Sequence, residues 1–145
     1  MKLTDLAIGD LILINNTPHK IQAIDSIDAE ILADDELYYV GEDRCHSEDK
    51  IEGIPLTPEI LEKNGFYDSY TKRYYKRFYS NGCFDIAISL VYREIEVSKV
   101  CGAGTDCEEE DYGSAIVFGN DICVHTLQHA LRLCGLDELA DNFKV

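Results

Sequence analysis

Apolar and polar residues alternate in short runs along the first third of the chain. "LILINN" (11–16), "HKIQAID" (19–25), "AEILAD" (29–34), "ELYYVGED" (36–43) and "KIEGIPL" (50–56) are rich in Ile, Leu, Val and Tyr. Turn residues separate them at Asn15-Asn16-Thr17-Pro18, Asp25-Ser26 and Asp34-Asp35. Runs bounded this way read as strands. At this spacing they predict a small antiparallel unit, an SH3-like β-barrel or meander, over residues 1–56.

A helix of residues 57–65 links that unit to the rest. In "LTPEILEKNGF" (56–66), Thr57 can cap the N-terminus and Pro58 fits the first helical position, where a missing N–H costs nothing. Glu59 and Lys63 complement the helix dipole. Asn64-Gly65 can close the last turn in a left-handed conformation, with Phe66 folding back onto it.

Residues 57–145 otherwise read as β hairpins over 72–119 and a helix over 125–134. "YYKRFYS" and "CFDIAISL" flank Asn81-Gly82, a hairpin signal. A two-residue turn would put Phe84, Ile86 and Ile88 on one face with Tyr79, Arg77 and Tyr75. A three-residue Ser80-Asn81-Gly82 loop would put them with Phe78, Lys76 and Tyr74, and set Arg77 opposite Asp85. The second register pairs opposite charges and is preferred. Tyr67, Thr71, Tyr74, Tyr75 and Phe78 also fit a helical stripe, so periodicity leaves a helix open here. The apolar parity changes after Leu90, which predicts a bulge or strand break. "CGAGTDCEEEDYG" (101–113) reads as a loop and "SAIVFG" (114–119) as a strand. Leu127, Ala130, Leu131 and Cys134 follow the i, i+3, i+4, i+7 pattern of an amphipathic helix that Gly135 ends. A last short turn runs through "DELAD". The fold class is α+β, with an antiparallel sheet closed by a C-terminal helix.

Charge changes this picture. The 145 residues carry a formal net charge of −15. Residues 25–52 hold eleven acids and two bases, and residues 105–145 nine acids and two bases. Residues 66–104 reverse the balance, with four acids and six bases. Such a chain disfavours direct binding to nucleic acid or to an anionic membrane. "MKLTDLAIGD" shows no secretion signal and no apolar run approaches the ~18 residues of a membrane span. The expected setting is a cytoplasm, with the six cysteines as thiols.

Ile8-Gly9-Asp10, "IPLTPEILEKNGF" (54–66) and "VHTLQHALRLCG" (124–135) together resemble an uncharacterised family of small proteins from phages and integrated mobile elements of gut anaerobes. The family pattern has a β-rich start near "IGD", the "IPLT" helix with its "NGF" end, a variable β middle and a closing helix beginning "VHxLQ". The resemblance covers both ends of the chain and leaves 67–123 unanchored. It implies an accessory role for a phage or mobile element, such as interference with host immunity. It supplies no catalytic residues.

Four places could carry chemistry. Arg73, Tyr75, Lys76 and Arg77 combine cations that bind phosphate with rings that stack on bases, so they are candidates for a small anionic nucleotide. The plainer reading is a two-sided strand with aromatics in the core and basic heads outside. Asp34, Asp35 and Glu36, with Glu108, Glu109, Glu110 and Asp111, could meet a basic protein or imitate a phosphate backbone; a solvated surface is the plainer reading. His125 and His129 have the i, i+4 spacing of a metal pair, but no third ligand or adjacent Glu accompanies them. Cys101 and Cys107 are separated by five intervening residues, without a second pair, and "CGAG" lacks the rest of a phosphate loop. No nucleophile–base pair is evident. The expected protein is therefore not an enzyme and takes no cofactor or metal. It blocks a host protein, such as a basic immune effector, through its acidic surfaces. The alternatives are a sponge for an anionic nucleotide messenger and a minor enzyme.

Overall fold

The computed structural model describes residues 2–40, 49–70, 72–79, 82–102, 116–119 and 122–145. The chain forms two compact units, Met1–Pro55 with Cys123–His125, and Leu56–Ile122 with Thr126–Val145. The architecture is α+β with two five-stranded antiparallel sheets, one per unit. The return of Cys123–His125 to the first unit has no signature in the hydrophobic pattern.

In the first unit a 3-10 turn, Leu3–Asp5, precedes β1 (Leu11–Ile14), β2 (Thr17–Asp25), β3 (Glu30–Ala33), β4 (Glu36–Tyr39) and β5 (Ile51–Gly53). The strand order is β4-β3-β2-β1-β5. β4 and β5 are its edges, and among the described residues no ladder joins them, so the sheet is open. Asn15 and Asn16, at φ 52° and 66°, make a two-residue hairpin turn, as do Asp34 and Asp35 at φ 50° and 66°. The first turn is therefore shorter than the four residues expected. Thr17 and Pro18 already belong to β2, where only β1 lies beside them, because β3 pairs from Ile21 onward. The missing N–H of Pro18 need break no ladder there.

Ile12, Ile14, Ile21, Ile31 and Ala33 share the buried face and pack with Leu6 and Val40. A bulge at Gln22 shifts the register so that Ile24 rejoins this face. The entry to β1 is pinned from both sides. Gly9 donates its N–H to the Ile21 carbonyl at 2.8 Å, and the fully buried Asp10 carboxylate accepts from the Ala7 N–H at 2.7 Å. At the far edge, Val124 donates to the Ile54 carbonyl at 2.8 Å and Cys123 bridges Pro55. A Cβ placed on Gly53 would stand 2.6 Å from Cys123 Sγ and 2.9 Å from His125 Cε1. Only a glycine lets these two side chains lie against the β5 backbone.

The second unit begins with α1 (Pro58–Lys63). Thr57 accepts a hydrogen bond from the Ile60 N–H, Gly65 takes φ 78°, and Phe66 donates back to the Leu61 carbonyl at 3.0 Å. This is the punctuation expected of "TPEILEKNGF". Then come β6 (Tyr67–Tyr70), β7 (Arg73–Tyr79), β8 (Gly82–Ser89), β9 (Glu94–Gly102) and β10 (Ile116–Gly119), in the sheet order β10-β9-β8-β7-β6. β6 is an addition to the expected hairpins, since "YDSY" has no apolar alternation to announce it. β7 is a strand, so the helical stripe is not used. β7 and β8 pair with Arg77 opposite Asp85, the preferred register. Tyr74, Phe78, Ile86, Ile88, Ile95 and Val97 are buried. β8 ends at Ser89 and β9 begins at Glu94, which accounts for the parity change after Leu90.

α2 (Val124–Leu133) buries Val124, Leu127, Ala130, Leu131 and, just beyond it, Cys134. Gly135 at φ 71° ends it, and Leu136 donates to the Leu131 carbonyl at 3.0 Å. α3 (Asp137–Asp141) follows. The fully buried Gln128 donates its amide to the Ala140 carbonyl at 2.8 Å and so ties α3 to α2.

Candidate functional site

Strand alternation divides the basic segment of β7 between two faces. Arg73, Tyr75 and Arg77 project to one side, where each meets an acidic or aromatic neighbour. Arg77 forks onto Asp85 of β8, with Nε to Oδ1 at 2.7 Å and Nη2 to Oδ2 at 2.8 Å. Arg73 reaches Glu96 of β9 at 3.3 Å. The rings of Tyr75 and Tyr67 meet edge to face at 5.4 Å. Burial pushes the Tyr75 phenol well above its ordinary pKa, and its hydrogen bond to Asp85 adds to this. For Asp85, burial alone would raise the pKa. The hydrogen bonds from Arg77 and Tyr75 and the guanidinium charge outweigh burial and hold the carboxyl below its ordinary value.

Lys76 lies on the opposite face and does not join that group. Its Nζ donates to the Asn64 carbonyl at 2.8 Å, at the C-terminal end of α1. The ammonium also sits over the rings of Phe78 and Phe66, 5.0 and 5.8 Å from their centroids. Desolvation lowers its pKa. This cation caps a helix end, where the dipole favours positive charge. A phosphate held by Arg73 and Arg77 would be on the other side of the sheet.

The acidic turn between β3 and β4 presents Asp34, Asp35 and Glu36, all exposed. Each carboxylate is nonetheless held. Asp34 Oδ2 lies 2.7 Å from His19 Nδ1, a bond that requires the proton on that nitrogen. The Asp35 backbone N–H donates to Gln22 Oε1 at 2.9 Å, and Gln22 Nε2 returns a bond to its carboxylate at 3.3 Å. Tyr38 donates to Glu36 Oε2 at 2.9 Å, which raises the phenol pKa. The His19 ring also contacts the Tyr38 ring, with centroids 5.7 Å apart. Beside the turn on the edge strand, Leu37 is 67% exposed and stands opposite Leu32 of β3. Sequence reasoning identified the three acids and missed His19, Gln22 and Tyr38. Tyr38 could have been found from its i+2 spacing to Glu36 on one strand face. His19 and Gln22 depend on the β2–β3 pairing and on a bulge.

Glu108, Glu109, Glu110 and Asp111 lie outside the described residues, as does Cys107. His125 is buried and His129 half-buried on α2. Among the described residues, no three His, Cys, Asp or Glu side chains are grouped so as to hold a metal ion. No described helix is long and apolar enough to cross a membrane.

Comparison of the chain with protein-family models, with curated proteins and with solved structures gives no match.

Proposed function

We propose that the protein is a non-enzymatic binding protein that blocks a basic host protein, with the acidic turn of the first unit as its docking element. The observation that carries this reading is the turn itself. Asp34, Asp35 and Glu36 remain exposed, while His19, Gln22 and Tyr38 fix their positions. Carboxylates ordered before contact lose less freedom on binding than mobile ones. The exposed Leu37 adds apolar surface on the edge strand beside the turn, on the strand face opposite to Glu36. The first unit acts as an SH3-like scaffold that presents this surface. Service to a phage or mobile element, in countering host defence, follows from the motif resemblance alone.

The nucleotide-sponge alternative asks more of the second unit. Arg77 would have to leave Asp85, whose side chain is only 7% exposed. Uncoupling a buried pair of this kind costs about 3–5 kcal/mol. Arg73 is the more available cation, held by one longer contact.

The test is affinity capture from host lysate with wild type and with an Asp34→Lys, Asp35→Lys, Glu36→Lys variant, followed by mass identification and reconstitution from purified components. The expected result is a basic protein bound stoichiometrically by wild type, released by salt and lost on charge reversal. A partner bound equally by the reversed variant would sink the proposal.

A further inference from the structure

We infer that the groove between Tyr79 and the α2–α3 corner receives an arginine side chain from a protein partner. Its lining residues all belong to the second unit: Tyr79 at the end of β7, Gly135 and Leu136 at the corner, Glu138 and Leu139 in α3, and Asn142 just after it. The groove measures about 520 Å³, within the roughly 300–1,000 Å³ of ligand pockets. It is open to solvent. Tyr79 is 79% exposed, and a Cβ on Gly135 would meet nothing within 4 Å.

The chemistry of the lining selects the occupant. Leu136 and Leu139 offer apolar surface to a hydrocarbon stem, and Tyr79 offers a ring face to a planar cation. Among the described residues Glu138 is the single charged residue of the lining, and no lysine or arginine lines the groove beside it. Asn142 Nδ2 is engaged with the Glu138 carbonyl at 2.9 Å, so its Oδ1 is the end that can accept. An arginine matches all of these: stem on leucine, guanidinium against tyrosine, forked hydrogen bonds to carboxylate. A lysine would use the carboxylate and forgo the planar stacking. Asp137 adds negative charge beside the groove, while Arg132 is already engaged with Asp141 at 3.2 Å. This site is separate from the acidic turn of the first unit and does not rest on it.

The test titrates the ¹⁵N-labelled full chain with a capped Gly-Arg-Gly peptide, and in parallel with the same peptide carrying neutral citrulline. The arginine peptide is expected to shift the amides of Gly135, Leu136 and Leu139 and the Asn142 side-chain amide, saturating on the order of 1 mM. Citrulline is expected to bind at least about tenfold more weakly, since the charge-assisted bonds are gone. Glu138→Gln should weaken the arginine peptide by about tenfold, and Tyr79→Ser should weaken it as well. Both side chains are exposed, and an otherwise unchanged spectrum confirms that each variant is folded. The inference is overturned if citrulline shifts the groove equally, if Glu138→Gln leaves the affinity unchanged, or if the shifts fall only at Asp34–Glu36. The last outcome would leave the acidic-turn proposal standing, because the two sites report through different amides.

Discussion

The Arg77 guanidinium and the Asp85 carboxylate meet at two points across the β7–β8 pair, at 2.7 and 2.8 Å. The chain carries a large negative charge, yet its densest basic segment spends its best-placed arginine on a buried acid of its own. The cluster thus works first as internal counter-charge. Arg73 repeats the pattern with Glu96, and Lys76 with a helix-end carbonyl.

Removing one partner leaves the other buried and uncompensated. Arg77→Ala is expected to cost about 3 kcal/mol of stability, measured by urea denaturation. The Arg77→Ala, Asp85→Ala double variant should recover part of that loss. A cost below about 1 kcal/mol for the single variant would mean that the pair is not structural, and would reopen the arginine to a ligand.

Stability should depend on pH from both sides of the same group. The folded Asp85 carboxyl titrates below its ordinary 3.8, so its contribution is present above that value and is lost as pH falls through the folded pKa. The folded Tyr75 phenol titrates above its ordinary 10.0. Its contribution is present below 10.0 and is lost as pH rises toward the folded value, because the unfolded chain gives up its proton first. Tyr75→Phe should therefore reduce the alkaline limb of a melting-temperature profile, and should also make the acid limb shallower, because Asp85 loses one of the bonds that hold its pKa down while keeping Arg77. An unchanged alkaline limb would contradict the buried phenol–carboxylate bond.

Asn64 joins two distant segments. Its Nδ2 donates to the Ile60 and Lys144 carbonyls at 2.7 and 2.8 Å, and its Oδ1 accepts from the Lys144 N–H at 3.0 Å. Asn64→Ala is expected to cost about 2 kcal/mol and to speed hydrogen exchange at the Lys144 amide. Exchange at the wild-type rate would show that the clasp does not hold the segment.

Cys83, Cys123 and Cys134 are thiols, and they should alkylate at different rates. Burial pushes the Cys134 thiol up to about 11, and Cys83 is also buried, whereas Cys123 is half-buried. Peptide mapping after brief iodoacetamide treatment should find Cys123 modified before the other two. Prior modification of Cys134 would contradict the packing of α2.

What the sequence made legible was local. The punctuation of α1, the Arg77–Asp85 register and the stop at Gly135 all follow from neighbours within a few positions. The same is true of the recognisable motifs, whose roles here are structural. Asp10 pins the entry to β1, Asn64 clasps Lys144, and Gln128 ties α3 to α2. What was not legible needed distant pairing. β6 forms because β7 offers it an edge, not because "YDSY" alternates. Strand alternation separates Lys76 from Arg73 and Arg77, but its partner, the Asn64 carbonyl at the end of α1, could not be read from the sequence. His19 and Gln22 reach the acidic turn only through the folded sheet. The groove at Tyr79 likewise needs residues 79 and 135–142 brought together, and no spacing along the chain announces that.

Gly53, Cys123 and His125 make a different kind of claim, about descent. The β5 backbone leaves no room for a methyl group at position 53 while Cys123 and His125 keep their places. Lineages of this fold should therefore change these positions together. A side chain at 53 should appear only alongside a smaller residue at 123 or a displaced ring at 125. If related chains are aligned, positions 53 and 123 should covary although they stand seventy positions apart. That statistical trace would show that the first unit is assembled from two separate passes of the chain.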